Sequence, residues 1–498
     1  MSKARGVSSL LGLFMMPVSL ALLFISLSSG GGLIGAPLSI TLLLVANVLF
    51  LIYDISKNVV FIVFQATYFL FLIAGPLLDA FDGVDFFRTF SSATVTETYT
   101  CYWIAAFAMW CFCLHRSNGG RELVIGIGRR RDIHEEPDRH YDLGRICFIS
   151  KILFYICIVA YIAVTADKIL FRQVYSLQAY YASYDASSNL PGIIVKIADC
   201  HLIALCMFLA TKPTKREAKV PLIVFLVASA LTVLYGVRHV ILLNIMFLVI
   251  YFVLRNGDGD EVWLPKGTAI IGIILSPVAM VLLQAFDVFR RSIAFNIFDI
   301  RELFSFSLVR DFFVSQSVSS YILPNAITHF SQLGGQPVPY TFGTIYTYLR
   351  QNVIVRFFTG AAAFNSNSVE SAMSSGNLGA RLAYYMYRET FLTGTGMGGS
   401  YVADLFVDFS YVGVFVGGLI ACMIINRLSK VTRGGYNSPY ILAFVLVAIR
   451  WIAYMPRDSY FSWAMQAFSF MNIIFVLMVM VLSRTKMPGR ATNVMADS

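Results

Sequence analysis

The sequence predicts an all-α polytopic integral membrane protein, with about twelve transmembrane helices and a large outer loop that contains short interfacial helices. Two features of composition predict this class, because 58% of the 498 residues are hydrophobic and only 13% are charged, whereas soluble domains carry about 25% charged residues. The third observation is the recurrence of apolar runs of roughly 17 to 25 residues, the length that crosses a bilayer as a helix. The net charge of +10 is therefore interpreted as a signal of membrane orientation, not as a nucleic-acid footprint.

The apolar runs divide the chain into four regions. Residues 1–287 contain nine predicted spans, 288–401 form the outer loop, 402–483 contain three more spans, and 484–498 form a cytoplasmic tail. The predicted spans are 7–27, 37–55, 58–78, 99–115, 146–168, 191–211, 219–237, 238–254, 267–287, 402–426, 438–455 and 460–482. We expect the first to be a retained helix, not a cleaved signal peptide, because further spans follow it.

The charges between the spans alternate as the positive-inside rule demands. Basic residues concentrate at 129–139, 211–219 and 427–433, which are predicted to be cytoplasmic, while the segment 79–85 carries three Asp and is predicted to be outside. Both termini are then cytoplasmic, and the loop 288–401 lies on the outer face.

Two very short outer turns carry charges. Arg238 and His239 lie between the seventh and eighth predicted spans, and Arg457 and Asp458 lie between the eleventh and twelfth. Charges at this depth are costly, and their default interpretation is functional. The alternative is a structural salt bridge or a snorkelling side chain that stabilises the bundle.

The outer loop holds eight basic residues, and every one is Arg: Arg290, Arg291, Arg301, Arg310, Arg350, Arg356, Arg381 and Arg388. A guanidinium can grip a phosphate or diphosphate through two parallel hydrogen bonds. The alternative for each is an interfacial anchor or a structural ion pair. Apolar spacing within the loop predicts short helices at 309–321 and 344–358, and the glycines of 394–399 predict a hinge.

Four ordered elements between residues 227 and 462 carry a family resemblance. They are the Gly236-Val-Arg238 turn, residues 312–320, residues 340–346, and residues 396–419 followed by the 457–459 turn. This set resembles the O-antigen polysaccharide polymerase family (Wzy). The chain departs from the family pattern at Asp404, where Glu is usual, and near Ser410, where Gly is frequent.

The resemblance implies a GT-C-like glycosyltransferase of the bacterial inner membrane, with its active site facing the periplasm. Such an enzyme transfers a growing glycan from undecaprenyl diphosphate to the non-reducing end of a lipid-linked repeat unit. The implied partners are the undecaprenyl-diphosphate-linked oligosaccharide, membrane lipid and a chain-length regulator protein, and no nucleic acid. No cofactor and no metal are expected, because Arg can offset the diphosphate charge.

The resemblance also assigns roles to candidate residues. For the diphosphate we expect Arg238, Arg290, Arg291, Arg388 and Arg457. For catalysis we expect His239 as the base, with Asp404, Glu370 and Asp458 as the alternatives. For the acceptor and its sugars we expect Tyr340, Tyr346, Glu370 and Tyr384, although aromatic residues at this depth are also typical of an interfacial belt.

Two other functions remain open at this stage. An O-antigen ligase-type transferase differs only in its acceptor, and the sequence does not show which acceptor is used. A transporter or flippase for lipid-linked oligosaccharides is the second alternative. Transporters tend to show internal repeats and charges at mid-membrane. The two halves of this sequence show no similarity to each other, and the charged residues of the two short turns are predicted to lie at the outer face.

Overall fold

The computed structural model describes residues 2–28, 34–117, 142–175, 189–259, 261–265, 267, 306–365, 367–433 and 438–484. Several predicted features lie outside the described residues: the ninth span beyond residue 267, the basic stretch 129–139, the tail after 484, and Arg290, Arg291 and Arg301.

The described residues before the outer loop form helices Ser2–Ser28, Gly35–Leu51, Ile55–Tyr68, Ala74–Phe81, Ser92–Ser117, Leu143–Val174, Gly192–Asp199, His201–Ala210, Lys215–Leu231 and His239–Asp258. The loop contributes Phe306–Gln316, Ile322–Thr328, Tyr340–Gln351, Val353–Thr359, Val369–Ser374, Leu378–Met386 and Arg388–Leu392. The remaining helices are Tyr401–Thr432, Pro439–Ile452, Ser462–Ala467 and Phe470–Arg484. No strand occurs in these residues.

Eight helical runs in the described residues are long and apolar enough to cross a membrane. One of them, Gly35–Phe81, covers the two predicted spans 37–55 and 58–78. Helix Ser92–Ser117 is not among the eight, and Pro439–Ile452 is a shorter apolar helix. The all-helical membrane class is confirmed, while the count of twelve spans stays a prediction.

Two buried apolar clusters fill the helical bundle. One includes Phe61 and Tyr401, and the other includes Phe208. Helices His239–Asp258 and Pro439–Ile452 contribute side chains to both clusters and contact each other. These two helices therefore form the seam of the bundle, and the candidate site lies where His239–Asp258 begins and Pro439–Ile452 ends.

The helical run Tyr401–Thr432 reverses direction at Ser410. Ser410 has φ 55° and ψ −157°, a backbone conformation open essentially only to glycine. A Cβ placed on Gly417 would lie 2.5 Å from Leu405 Cδ2, although twelve residues of straight helix would separate the two by about 18 Å. Residues 401–409 therefore form a fold-back segment that packs against the helix after Ser410.

Replacing Ser410 by Gly should stabilise the protein by about 1 kcal/mol, because the backbone at this position is strained for any residue with a Cβ. The measurement is the apparent Tm of the purified protein in detergent. As a control, Ser429→Gly should lower the Tm, because Ser429 lies in a regular part of the same run and glycine is unfavourable there. A lower Tm for Ser410→Gly would contradict the assignment of strain.

Several Arg side chains of the outer loop are held by neighbouring groups. Arg310 bridges Asp79 at 2.6 Å and Asp82 at 2.5 Å. The buried Arg381 donates to the carbonyl oxygens of Gly334 at 2.8 Å and Gln332 at 3.2 Å. These two guanidinium groups therefore hold the loop together and leave the diphosphate role to other cations.

Candidate active site

An aromatic and cationic group of residues gathers at the outer end of the seam, and we call it the outer cluster: Phe71, His239, Gln316, Tyr454 and Arg457. The His239 ring stacks on Tyr454 with centroids 5.9 Å apart. Tyr454 meets Phe71 edge-on at 5.5 Å, and the Arg457 guanidinium lies over the same Phe71 ring at 5.5 Å. Residues from four distant parts of the chain thus meet in one place.

A glycine turn positions Arg238 and His239. Gly236 ends the 3₁₀ helix Thr232–Tyr235 with φ 107°, which favours glycine because a Cβ would be strained there. The Thr232 hydroxyl donates to the Val237 carbonyl at 2.9 Å and fixes the turn. Arg238 then precedes the first residue of helix His239–Asp258. His239 is exposed and Arg238 is half-buried.

Gln316 reaches the cluster from the first loop helix. Arg457 Nη1 donates to the Gln316 side-chain oxygen at 3.1 Å and to its carbonyl oxygen at 3.4 Å. The next residue, Ser317, accepts from the Gly75 amide at 2.8 Å and donates to Leu70 O at 2.9 Å. Ser317 thereby ties the loop to the π-helical turn Phe69–Ile73, a rare geometry that is frequent at functional sites.

The turn that carries Arg457 also contacts Asp404 and contains Asp458, two of the carboxyl groups predicted as alternative bases. Asp458 accepts from the Ser459 amide at 2.8 Å and the Ser462 hydroxyl at 2.6 Å. Asp404 lies on the fold-back segment, is fully buried, and accepts from the Tyr460 amide at 3.2 Å. Asp404 Oδ1 has no hydrogen-bond partner among the described residues. Asp458 is partly exposed, so it is the more accessible carboxyl group.

The electrostatics of the turn are dominated by burial and by nearby charges. Burial raises the pKa of Asp458, and its hydrogen bonds from Ser462 and Ser459 lower that pKa. Burial also raises the pKa of Tyr454, with Arg457 and Arg450 lowering it and Asp458 raising it. Tyr454 therefore lies within electrostatic reach of two guanidinium groups and one carboxyl group.

Asp408, on the fold-back segment, anchors the helix Tyr340–Gln351. Its carboxylate accepts from the Tyr340 amide at 3.0 Å, the Thr341 amide at 2.6 Å and the Thr341 hydroxyl at 2.6 Å. A carboxylate at a helix N-terminus satisfies free amide groups and complements the helix dipole. The same helix packs beside Ser462–Ala467, so Asp408 holds it next to the turn that carries Arg457.

The residues predicted to bind the acceptor occupy two places. Tyr340 is buried and donates its hydroxyl to Leu333 O at 2.7 Å, and burial raises its pKa to about 12. Tyr346 is half-buried on the same helix. Glu370 pairs with Arg350 at 3.2 Å.

Arg388 and Tyr384 lie together in the loop. The Arg388 side chain is exposed, and its guanidinium lies over the Tyr384 ring at 5.4 Å. Tyr384 belongs to a small buried cluster with Ala372, Ala383 and Phe391. The structure thus brings Arg238, His239, Arg457 and the two Asp residues together, whereas Glu370, Tyr384 and Arg388 belong to the loop.

Sequence analysis missed Gln316, Asp408 and Arg450 as site residues. Arg450 carried a visible signal, because it is a charge inside the apolar run 438–455 and such charges are functional by default. Gln316 and Asp408 carried no comparable signal, since polar residues in a loop or near a helix end are common. Among the described residues, no three His, Cys, Asp or Glu side chains are grouped as a metal site requires.

Comparison with known proteins identifies the family. A family model described as O-antigen polysaccharide polymerase Wzy matches residues 9–488, nearly the whole chain. The chain belongs to this family. No curated protein and no solved structure matches the chain. Membership in the Wzy family makes the protein a membrane-bound O-antigen polymerase of the glycosyltransferase type.

The family elements selected in the sequence can now be placed in space. The Gly236-Val-Arg238 turn, the stretch 312–320 and the turn 457–459 of this Wzy protein meet at the outer cluster. The stretch 340–346 meets the fold-back segment through Asp408. Sequence elements more than 200 residues apart therefore build one region of the structure.

Proposed function

We propose that this Wzy protein transfers a growing glycan from undecaprenyl diphosphate to a lipid-linked repeat unit, and that the outer cluster is its active site. The main observation in support of this proposal is that Arg457, His239 and Gln316 lie together at the end of the seam, beside the turn that holds Arg238. A cationic site beside a candidate base suits a reaction whose leaving group is a diphosphate.

The proposed reaction needs one nucleophilic displacement. The acceptor hydroxyl oxygen bonds to the anomeric carbon of the donor sugar, and the bond from that carbon to the diphosphate oxygen breaks. The diphosphate leaves with the electron pair, and the hydroxyl proton passes to a base. The protein must hold the two lipid-linked substrates in line and offset the charge that develops on the departing diphosphate.

In this proposal Arg238 and Arg457 bind the diphosphate. Arg457 donates only from Nη1 to described residues, both bonds going to Gln316, so its other nitrogens can bind phosphate oxygens. Gln316 fixes the plane of the guanidinium, and the face of the Phe71 ring supports it. Arg388 on the loop, with Arg290 and Arg291 outside the described residues, would contact the second lipid-linked substrate.

We assign the base to His239 in preference to the carboxyl groups. His239 is exposed at the cluster and is stacked on Tyr454, and a neutral imidazole can accept a proton. Asp404 lies on the fold-back segment and is fully buried. Asp458 already accepts two hydrogen bonds that shape its own turn, so we assign it a positioning role.

The helix Tyr340–Gln351 and the loop beside it would bind the acceptor glycan. Tyr346 on this helix offers a half-buried aromatic face for sugars, and Glu370 offers a carboxylate next to Arg350. Tyr384 is buried beneath Arg388, so it would position that guanidinium group. Tyr340 would position the helix, because its hydroxyl is already bonded to Leu333 O.

The periplasmic orientation is supported by the distribution of charge along the seam. Helix His239–Asp258 begins at the outer cluster and ends beside basic residues, with Lys212 and Arg255 both paired to Asp258 at 3.1 and 2.9 Å. Basic residues favour the cytoplasmic side. The outer cluster would then face the periplasm of the bacterial inner membrane, where a chain-length regulator would also meet the enzyme.

Polymerisation can be tested with purified protein in detergent or nanodiscs, supplied with the lipid-linked repeat unit alone. The expected product is a gel ladder spaced by one repeat, together with released undecaprenyl diphosphate. A parallel reaction that also contains lipid A core distinguishes a ligase, which would give a single transfer to the core instead of a ladder. Recovery of unchanged substrate from folded protein would overturn the proposal.

A further inference from the structure

Three Arg side chains are almost fully buried in the described residues, and one of them differs from the other two. Arg255 is 5% exposed and pairs with Asp258 at 2.9 Å, and Arg381 is 6% exposed and binds backbone carbonyl oxygens. Arg450 is 5% exposed, yet no described carboxylate pairs with it. Its contacts with described residues are a hydrogen bond from Nε to Asn244 Oδ1 at 2.6 Å and the Trp451 ring at 4.6 Å.

The neutral partner of Arg450 is itself fixed in one orientation. Asn244 Nδ2 donates to the Ser229 hydroxyl at 2.7 Å, and that hydroxyl donates to Phe225 O at 2.6 Å. The amide oxygen of Asn244 must therefore face Arg450. Arg450 Nη1 is buried and has no hydrogen-bond partner among the described residues. A buried guanidinium without a counter-ion costs several kcal/mol, so an anion at this position would relieve a real cost.

Arg450 lies on the inner side of the outer cluster. Asn244 is five residues further along its helix than His239, which is a rise of about 7.5 Å. Arg450 precedes Arg457 by seven residues in the adjoining segment, and both act electrostatically on Tyr454. A head group held by Arg457 at the surface would thus meet a second cation deeper in the bilayer.

We propose that Arg450 is a second anion-binding residue that takes the lipid-side phosphate of a prenyl diphosphate, while Arg457 and Arg238 take the outer phosphate. This inference rests on the proposed function and adds to it a means by which the enzyme distinguishes a lipid diphosphate from a lipid monophosphate. The single phosphate of a lipid monophosphate can bind at only one of these two depths, whereas a lipid diphosphate can bind Arg450 and the outer Arg pair at the same time. A soluble diphosphate lacks the lipid that would carry its inner phosphate to the depth of Arg450.

Binding measurements test the proposal without polymerisation. Purified protein in nanodiscs is titrated with undecaprenyl diphosphate, undecaprenyl monophosphate and inorganic diphosphate. The wild type should bind the lipid diphosphate at least about tenfold more tightly than the monophosphate, as expected when a charged hydrogen-bonding pair is added. Inorganic diphosphate should bind more weakly than the lipid diphosphate.

Asn244→Asp is the decisive variant. It keeps the shape of the side chain and supplies the carboxylate that Arg450 lacks. The Ser229 hydroxyl, which accepts from Asn244 Nδ2 in the wild type, can turn to donate to that carboxylate, so the protein should melt at or above the wild-type temperature. The internal ion pair should compete with the phosphate and remove the preference for diphosphate. A purely structural role for Arg450 predicts that the preference survives, and that outcome would overturn the inference.

Two further variants complete the test. Arg450→Gln removes the charge and retains a group that can bond to Asn244, so it should also lose the preference for diphosphate. Arg255→Lys is the matched control, because Arg255 is equally buried and also lies against a Trp ring, and this variant should keep the preference. If Asn244→Asp does not fold, retention of the preference by Arg450→Gln overturns the inference by itself.

The outcomes separate this inference from the proposed function. A protein that prefers lipid diphosphate through Arg450 but builds no glycan ladder contradicts the proposed polymerisation alone. A protein that builds the ladder and keeps its preference in Asn244→Asp contradicts the role of Arg450 alone.

Discussion

Arg457→Lys should leave the protein folded and lower the rate of polymerisation by about a hundredfold to a thousandfold, the range typical of losing one donor aimed at developing charge. Arg457 uses Nη1 to bind Gln316 and has further nitrogens for phosphate. A Lys ammonium keeps the charge but cannot hold Gln316 and grip a phosphate through two parallel bonds. The measurement is the initial rate of ladder formation at saturating lipid-linked repeat unit.

The matched control is Arg310→Lys, also at the outer side of the protein. Arg310 bridges Asp79 and Asp82 and is not part of the outer cluster. Its Lys variant keeps the positive charge between the two carboxylates, so it should polymerise within about twofold of the wild type. Both variants should elute as single species of wild-type size. A wild-type rate for Arg457→Lys would remove Arg457 from the proposed diphosphate site.

The class of fold could be predicted because the bilayer dictates it. A segment that crosses lipid must satisfy its own backbone hydrogen bonds, so length and apolarity predict a helix. The same reasoning succeeded in the loop, where apolar spacing predicted helices at 309–321 and 344–358, and the structure has Phe306–Gln316 and Tyr340–Gln351.

The reversal at Ser410 could not be predicted from apolar patterning. Both the fold-back segment and the helix after it are mostly apolar, so residues 402–426 were predicted as a single span. The turn depends on the backbone angles of a single residue and on the absence of a side chain at Gly417. The frequent Gly near this position in the Wzy family was the one available hint, and it is consistent with the positive φ of Ser410.

The candidate site was predictable only in part. Arg238, His239 and Arg457 were selected because a charge beside an apolar run is conspicuous, and the structure places them near one another. Their contacts with Gln316 and Phe71 depend on packing between segments far apart in sequence, which no local pattern encodes. Arg450 was conspicuous by the same criterion and was overlooked because it lies within a predicted span.

His239→Ala should lower the turnover rate by about a hundredfold to ten-thousandfold, the usual contribution of a general base. Binding of the lipid-linked substrate should change little, because the diphosphate is held by Arg residues. The wild-type rate should rise with pH as the imidazole loses its proton and then level off, since only the neutral form accepts the hydroxyl proton. The variant should lose the rising part of the pH–rate profile (the rising limb). Loss of the stacking contact with Tyr454 alone would lower the rate without changing the shape of that profile.

His329→Ala provides the control for a general effect of removing a histidine. His329 is half-buried in the outer loop, just after helix Ile322–Thr328, and it is not part of the outer cluster. Its variant should keep both the wild-type rate and the rising limb. If His239→Ala retains the pH profile at a reduced rate, the ring only supports Tyr454, and Asp458 becomes the group that accepts the proton. Asp458→Asn would then be the variant that removes the rising limb, because its amide cannot take up a proton at these pH values.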